Sequence, residues 1–557
     1  MVPPRWDNTA DILVIGSGAT GLPAAIVARE TGASVILVEA QSHIGGHAIC
    51  SGGNISLGGG NSYQKKYGVE DSPELLFRDL IDWSVVEPNG APPYRYNDHE
   101  IVRAFANNSV TAFDFLLAHG VRVVDQAPDN LSGQEIGMSA LRTLHCAVMD
   151  WPMIQTGKPA DPDIRTTTSS GNGLMQPLHS AAVTAGVKIM LQHRMTAIHR
   201  EAPHSGRVTG IAVDNNGAGL NIRAKKAVII GTGGSSGNVN FRRMFDPRLT
   251  EEYCGLAGMP WSDQDASGEL AAMTIGASLW GLTNFAGEYG TGVTKPDSIG
   301  CQYGYANLRW LPGSTVFDQA RAIGLKVADW QDVILVNMLG QRFYDETGRQ
   351  FTPNIFGSFE PYEPGSHRNA KTVKYDPNNF INAALAGIGD GQNGGGPIWA
   401  IFDSDAVARE GWDPTPPNVD RDAGIFFSAN SIEELAAKIV MKHQRVPMPP
   451  QNLAETVSRY NSFVASGVDT DFDKPKPLYK IAEPPFYAAW ATPVIHDTRA
   501  GLRINARCQV LDLSGAIIPG LYCGGESAGG FSLHGLPRAL GQGLIAGRNA
   551  AAESGAV

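Results

Sequence analysis

Six residues near the start of the chain, Gly16-Ser17-Gly18-Ala19-Thr20-Gly21, have the G-x-G-x-x-G spacing that brings backbone close to a phosphate. The first glycine permits a tight turn. The second leaves room for a pyrophosphate against the main chain, and the third lets a helix pack closely on the preceding strand. A helix starting at this turn points free N–H groups and the positive end of its dipole at the phosphates. Glu39 follows Gly21 by 18 residues (39 − 21), where an acid can accept a hydrogen bond from a ribose.

The elements needed to hold these residues are legible around them. Residues 10–15 are an apolar run stopping at Gly16, as a buried parallel strand would. Gly21–Glu30 places Leu22, Ala25, Ile26 and Ala28 on a helical face, and Gly32 is a natural helix stop. Residues 34–38 read as the next strand, completing a βαβ unit of about 30 residues. Further on, 73–83 and 99–119 read as helices, and 121–124 is strand-like. Residues 188–191, 208–213 and 227–230 read as strands. A helix is expected over 266–279, with Leu270, Met273 and Ala277 on one face. From about 284 to 496 Pro, Gly and aromatic residues are frequent and long periodicity is weak. A short run of strands follows, then a helix over 541–551.

More glycine clusters mark other strand ends. Gly45-Gly46 and Gly52-Gly53 come soon after Glu39, Gly231-Thr232-Gly233-Gly234 follows residues 227–230, and Gly524-Gly525-Glu526 follows Leu521-Tyr522. A plain NAD domain has no need of two further glycine turns directly after its acid. A long dinucleotide threaded past four strand ends does.

Composition excludes several classes. A chain of 557 residues exceeds one ordinary core at ~100–200 residues per domain. The net charge of −11 and the lack of a Lys/Arg-rich run argue against a nucleic-acid partner. No apolar run reaches the ~20 residues of a membrane span, and no signal-peptide pattern opens the chain, so a cytoplasmic protein is expected. The six cysteines are scattered without a C-x-x-C, which suits reduced, buried thiols and leaves zinc, iron–sulfur and c-type haem sites unsupported.

The segments DILVIGSGATGLPAAIVARETGASVILVEA, GGHAICSGG, AVIIGTGG, ILVNMLGQRFYDE and PGLYCGGESAGGFSLHGLPRALGQGLIAGRNAA run in this order through most of the chain. Together they resemble the fumarate reductase / succinate dehydrogenase flavoprotein family, which includes 3-ketosteroid dehydrogenases. The resemblance implies FAD as cofactor and an α/β fold. A Rossmann-type FAD-binding domain would span 1–283 and 497–557, with a mobile α+β capping domain inserted over 284–496. The implied cofactor contacts are Gly16, Gly18, Ala19, Thr20, Gly21, Glu39, Ala40, Gly46, His47, Ser51, Gly52, Gly53, Met195, Thr232, Gly233, Gly234, Ser267, Thr498, Glu526, Arg538, Gly541, Gly543 and Leu544. His47 lies near where complex II flavoproteins attach FAD covalently. Its spacing to the next glycine pair is one residue short, so non-covalent FAD is expected.

Flavin enzymes of this family move a hydride between N5 and a carbon beside a carbonyl or carboxylate, while a protein group moves the matching proton. By resemblance, Arg538 in His534-Gly535-Leu536-Pro537-Arg538 would hold a substrate oxygen with its planar fork of donors. Arg349 would move the proton. It stands seven residues (349 − 342) after the first residue of Arg342-Phe343-Tyr344-Asp345-Glu346, one short of the family spacing. Tyr344, Arg342 or a cap tyrosine such as Tyr289, Tyr303 or Tyr305 is the alternative. Asp497 stands where fumarate reductases have a substrate-contacting histidine, and an acid there would repel a second carboxylate. The family's Glu-x-x-Arg relay is replaced by Val327-Ala328-Asp329-Trp330. The expected activity is therefore reduction or dehydrogenation of a C–C bond beside a carboxylate or carbonyl, with fumarate itself a poor fit. The second reading is 1,2-desaturation of a cyclic ketone or 3-ketosteroid, and the third is a flavoprotein electron-transfer subunit. A small-molecule substrate and an external electron donor or acceptor are the expected partners.

Overall fold

The first βαβ unit forms where its residues demand it. β1 (Asn8–Ile15), α1 (Gly21–Glu30) and β2 (Val35–Val38) follow one another, and β1 pairs with β2 in parallel. The computed structural model describes residues 3–84, 98–129, 139–149, 170–245, 249–254, 262–280, 293–294, 296, 298–303, 312, 317–343, 345–347, 396–495, 498, 500–531, 533 and 535–555. Gly32, with φ +91°, takes the left-handed conformation that ends α1.

Six more strands extend this unit: β3 (Lys188–Met190), β4 (Arg194–Ala202), β5 (Ser205–Asn215), β6 (Ala218–Ile230), β7 (Gln509–Leu511) and β8 (Ile517–Cys523). The sheet order is β7-β8-β6-β1-β2-β3, with β5 antiparallel on β6 and β4 antiparallel on β5. Strands β8, β6, β1, β2 and β3 are mutually parallel. Ile15 lies opposite both Val38 and Ile230, and Ile230 lies opposite Cys523. Four strands thus end level, and each continues into one of the segments singled out above.

Burial on both faces explains the unbroken apolar run of β1, in which Ile12, Leu13 and Val14 are inaccessible to solvent. One cover is α1, which is itself overlain by α3 (Leu536–Ala552), a helix that follows α2 (Ser267–Met273) in the chain. A Cβ on Gly543 or Gly547 would sit 2.4 or 2.5 Å from the carbonyl oxygen of Thr20 or Ala24, so the two helices touch at backbone distance.

Between β6 and β7 the chain builds a second sheet. Its four antiparallel strands lie in the order Ile334–Val336, Trp399–Phe402, Phe486–Trp490, Phe426–Ala429. The period of two sorts their side chains: Leu335, Ala400, Phe402 and Ala489 join one apolar cluster, while Ile334, Val336, Trp399, Ile401 and Trp490 join the other. The helices Ile432–Lys438 and Pro450–Ser466 cover the second face through Leu435, Leu453, Val457 and Tyr460. The weak periodicity expected here hid a 17-residue helix. Its buried stripe is narrow, and Asn, Gln and Ser dilute the rest.

Three expectations need correction. The helix at 266–279 is only α2, and its inward residues are Gly268, Glu269, Ala271 and Ala272, while Leu270 is 43% exposed. Gly276, at φ +97°, stops it early. The final helix starts at Leu536, several residues before 541, because Pro537 suits a first turn. Residues 121–124 make a single bridge, Val123 to Cys146, rather than a strand. All six cysteines are buried.

Candidate functional site

The level strand ends frame an open cleft. Of the expected cofactor contacts, Gly16, Gly18, Ala19, Thr20, Glu39, Ala40, Gly46, His47, Ser51, Gly52, Met195, Thr232, Gly233, Ser267 and Glu526 line it. A site outside the carboxyl ends of parallel strands is where α/β sheets bind ligands. A Cβ on Gly18 would have no protein atom closer than Gly45 O at 3.9 Å, so this glycine faces open space. No side chain caps the start of α1 and no acid lies in its first turn; Leu22 and Ala24 N–H bond Gly18 O and Thr20 O and Pro23 has no N–H, so an anion would meet the backbone of the turn just ahead of the helix.

Glu39 is buried at the end of β2, and its carboxylate closes the turn. Ser17 donates to Oε2 through N–H and Oγ (2.9 and 2.6 Å), and Gln41 N–H donates to Oε1 (2.9 Å). Ser17 Oγ in turn accepts from Gly45 N–H at 3.1 Å. A carboxylate offers about four acceptor sites, so a place remains for a ribose hydroxyl. His193 N–H bonds the Glu39 carbonyl, which sets the start of β4 and Met195 beside it.

Opposite, Glu526 gathers polar groups. Gln264 Nε2 donates to its Oε2 at 2.9 Å, and His47 Nδ1 stands 3.9 Å from its Oε1. Ser527 Oγ accepts from the N–H groups of Gly233 and Gly234 and lies 2.9 Å from Thr232 Oγ1. Arg194, in the lining, pairs with Asp263 and Asp265. Gln264 and Ala266 both hold positive φ, 40° and 61°, strain of a kind found where a backbone is shaped to a site.

Behind this wall lies Glu269 of α2, fully buried, with neither carboxylate oxygen in a full hydrogen bond. Thr232 gives it only partial relief, since that hydroxyl is engaged with Ser527. Burial, with Asp265 and Glu526 nearby, pushes its pKa from 4.5 up to about 8, so it is largely protonated at neutral pH.

The remaining expected contacts lie outside the cleft lining, and the structure gives them other work. A Cβ on Gly21 would sit 1.8 Å from Gly16 O, so Gly21 packs α1 on the turn. Gly53 O accepts from Cys146 N–H, and a Cβ on Gly234 would meet Thr498 Oγ1 at 2.0 Å. Thr498 is buried and donates to Glu526 O at 3.2 Å. Gly541 faces Phe105, Gly543 faces Thr20, and Leu544 is wholly buried. Arg538 is also wholly buried. Its Nη1 donates to Phe531 O and its Nη2 to Thr498 O, both at 2.7 Å. Tyr344, Arg349, Asp497 and His534 lie outside the described residues. Arg342 is buried against Glu346 and Asp469. Among the described residues no cluster of His, Cys, Asp or Glu could hold a metal, and no helix is long and apolar enough to cross a membrane.

Sequence reasoning missed Gln264, Asp263, Asp265, Arg194, Asn54 and Leu536-Pro537 in the lining. Leu536-Pro537 lies within the His534–Arg538 run, but the others carry no local motif, and only the tertiary fold brings them to one place.

A family profile described as an FAD binding domain matches residues 11–544. Fumarate reductase (cytochrome) of Shewanella frigidimarina is 26% identical over 546 residues, covering 96% of this chain and 75% of the relative. The 3-oxosteroid 1-dehydrogenase of Mycobacterium tuberculosis is 26% identical over 583 residues, covering 93% of this chain and 92% of the relative. Among solved structures, a 3-ketosteroid delta1-dehydrogenase from Sterolibacterium denitrificans shares the fold with a TM-score of 0.65 at 21% identity, covering 98% of this chain and 99% of that one.

Proposed function

The chain belongs to the FAD binding domain family and takes FAD as its cofactor, and from that premise we propose that it reduces or dehydrogenates a C–C bond beside a carboxylate or carbonyl. One observation carries this reading: nearly the whole chain matches both an enzyme that reduces a C=C bond and one that introduces a C=C bond. Bound FAD supplies the two-electron donor or acceptor. The chain's own residues bind and orient. The turn Gly16–Gly21 and the α1 N-terminus would meet the pyrophosphate, Glu39 would accept from a ribose, and the Gly18 gap would admit the phosphates against backbone.

We assign the FAD-binding part to 1–283 and 497–557 and a cap to 284–496, in keeping with a second sheet that lies between β6 and β7 in sequence. Arg349, Tyr344, Asp497 and His534 are assigned to the substrate side on the resemblance of their segments. Arg538 holds Thr498 and Phe531, neighbours of Asp497 and His534, so it braces both segments whether or not it also meets substrate. Fumarate is not proposed, because an acid at position 497 disfavours a dicarboxylate. Desaturation of a cyclic ketone or 3-ketosteroid is the second reading, favoured by the end-to-end match to the oxosteroid enzyme. The test is anaerobic. Oxidised protein is mixed with ketones and saturated acids, and reduced protein with enones and enoates. Bleaching or reoxidation of the flavin by one class identifies the substrate. A flavin that dithionite reduces but neither panel affects would leave the electron-transfer reading in place of both.

A further inference from the structure

Three polar side chains form a line that ends in the cleft: Asp129, His145 and Asn54. Asn54 lines the cleft and pairs across two short antiparallel strands, Asn54–Ile55 and Leu144–His145, with His145. His145, only 2% exposed, places Nδ1 2.8 Å from Asn54 Oδ1 and Nε2 2.8 Å from Asp129 Oδ2. The backbone holds all three. Cys146 N–H donates to Gly53 O at 3.0 Å, and Asp129 and Thr143 exchange N–H···O bonds of 2.9 and 2.8 Å.

A carboxylate and an amide oxygen are both acceptors, so in this arrangement both ring nitrogens must donate. The His145 ring thus bridges the Asp129 carboxylate and the Asn54 amide. Among the described residues Asp129 is the charged group bonded to it, and the neighbouring Cys146 stays neutral because burial pushes its thiol up to about 12. With the ring oxygen-bound in this way, the Asn54 NH2 is left for the cleft. If His145 lost its Nδ1 proton, the amide would have to turn over to donate to the ring and would show its oxygen instead. One proton therefore decides whether the cleft meets a donor or an acceptor. Glu39 marks the adenosine ribose, and the turn Gly16–Gly21, faced by Gly45-Gly46, marks the pyrophosphate. The chain then runs on to Asn54 in the lining of the same cleft, which would place Asn54 on the flavin side of a bound dinucleotide.

We propose that Asp129 and His145 are positioning residues that fix the Asn54 amide with its NH2 toward the bound flavin, favouring one redox state over the other. The test is a double-mutant cycle on the FAD-loaded full chain, reading the two-electron midpoint potential and visible spectrum of the flavin, with FAD content and unfolding midpoint as controls. No substrate is used, so the outcome is independent of the substrate class. Asp129→Asn and Asn54→Ala should each change the ratio of affinities for oxidised and reduced FAD about tenfold, ~30 mV for a two-electron couple. Asp129→Asn should change nothing further in the Asn54→Ala background, and Asp129→Glu should restore the wild-type potential. Equal shifts in both backgrounds would mean that Asp129 acts through its field and not through Asn54, and no shift in either would mean the line is only structural. Both results overturn the proposal. Should Asp129→Asn fail to hold FAD, His145→Gln, which keeps a donor for Asn54, must stay nearer the wild-type potential than His145→Ala. The reverse order overturns the proposal as well.

Discussion

The second sheet and the cleft wall treat buried charge in opposite ways. Under the second sheet four charges satisfy one another. Arg342 donates to both oxygens of Glu346 (2.8 and 2.9 Å) and to Asp469 (2.9 Å), and Lys474 lies 3.3 Å from Glu346. Burial raises the Glu346 pKa, but Arg342 and Lys474 overcome it and bring it down to about 2. Among the described residues, Arg342 Nη1 is the one buried atom of the cluster without a hydrogen-bond partner. Along the cleft the balance is left open. Glu39 keeps room for a further donor, and Glu269, with no cation facing it among the described residues, takes up a proton. A closed set of charges fastens a fold, while an open set marks the surface where a ligand completes the bonding.

Four measurements would break or sharpen this contrast. The largest effect is expected for Gly18→Val, whose side chain would fill the open space over the turn. Losing two or more charge-assisted bonds of ~1.5–3 kcal/mol each should weaken FAD binding by roughly 100-fold or more, with the fold retained. Tight FAD binding by this variant would show that the phosphates do not pass over Gly18. Next is Glu346→Ala, which strands Arg342 and Lys474 without their shared carboxylate. A stability loss of ~3–5 kcal/mol is expected with the flavin spectrum unchanged. Loss of FAD together with stability would mean that the two regions are not separable.

The third concerns pH. Folded Glu269 holds its proton up to about pH 8, whereas the unfolded chain releases it near 4.5. The folded state therefore binds more protons in this window, and stability should fall as pH rises from about 4.5 to about 8, then level off. Denaturant titrations across pH should show this slope in the wild type and a flatter one in Glu269→Gln. Parallel curves would mean that the carboxyl has a partner in solution. The smallest effect is expected for Glu39→Ala. It removes one ribose acceptor, worth ~1.5–3 kcal/mol, and frees the Ser17 and Gln41 donors, so FAD affinity measured by equilibrium dialysis should drop roughly 10–100-fold. Unchanged affinity would leave Glu39 as a turn fastener only.

The first βαβ unit was legible because its information is local. Gly16–Gly21, the apolar run of β1 and Glu39 lie within about 30 residues, and each side chain's role follows from its neighbours in sequence. The glycine clusters at Gly231–Gly234 and Gly524-Gly525 were legible as strand ends, although nothing local said that those ends would lie level. The buried face of α2 was misread, because period alone favoured Leu270 over the small residues and Glu269 that its short length and close packing turn inward. Glycine type likewise could not tell Gly18, which faces open space, from Gly543, which admits a neighbouring helix.

The sequence by itself thus determined the cofactor class and the turn that receives it, since a dinucleotide is recognised by backbone geometry that glycine spacing encodes. Only the tertiary structure decided which polar groups close on one another and which stay open. Arg342 reaches Asp469 across 127 residues, and Gln264 reaches Glu526 across 262. Partnerships over such separations depend on strand register and on burial, which raises the cost of every unpaired charge, and neither is written in any local pattern.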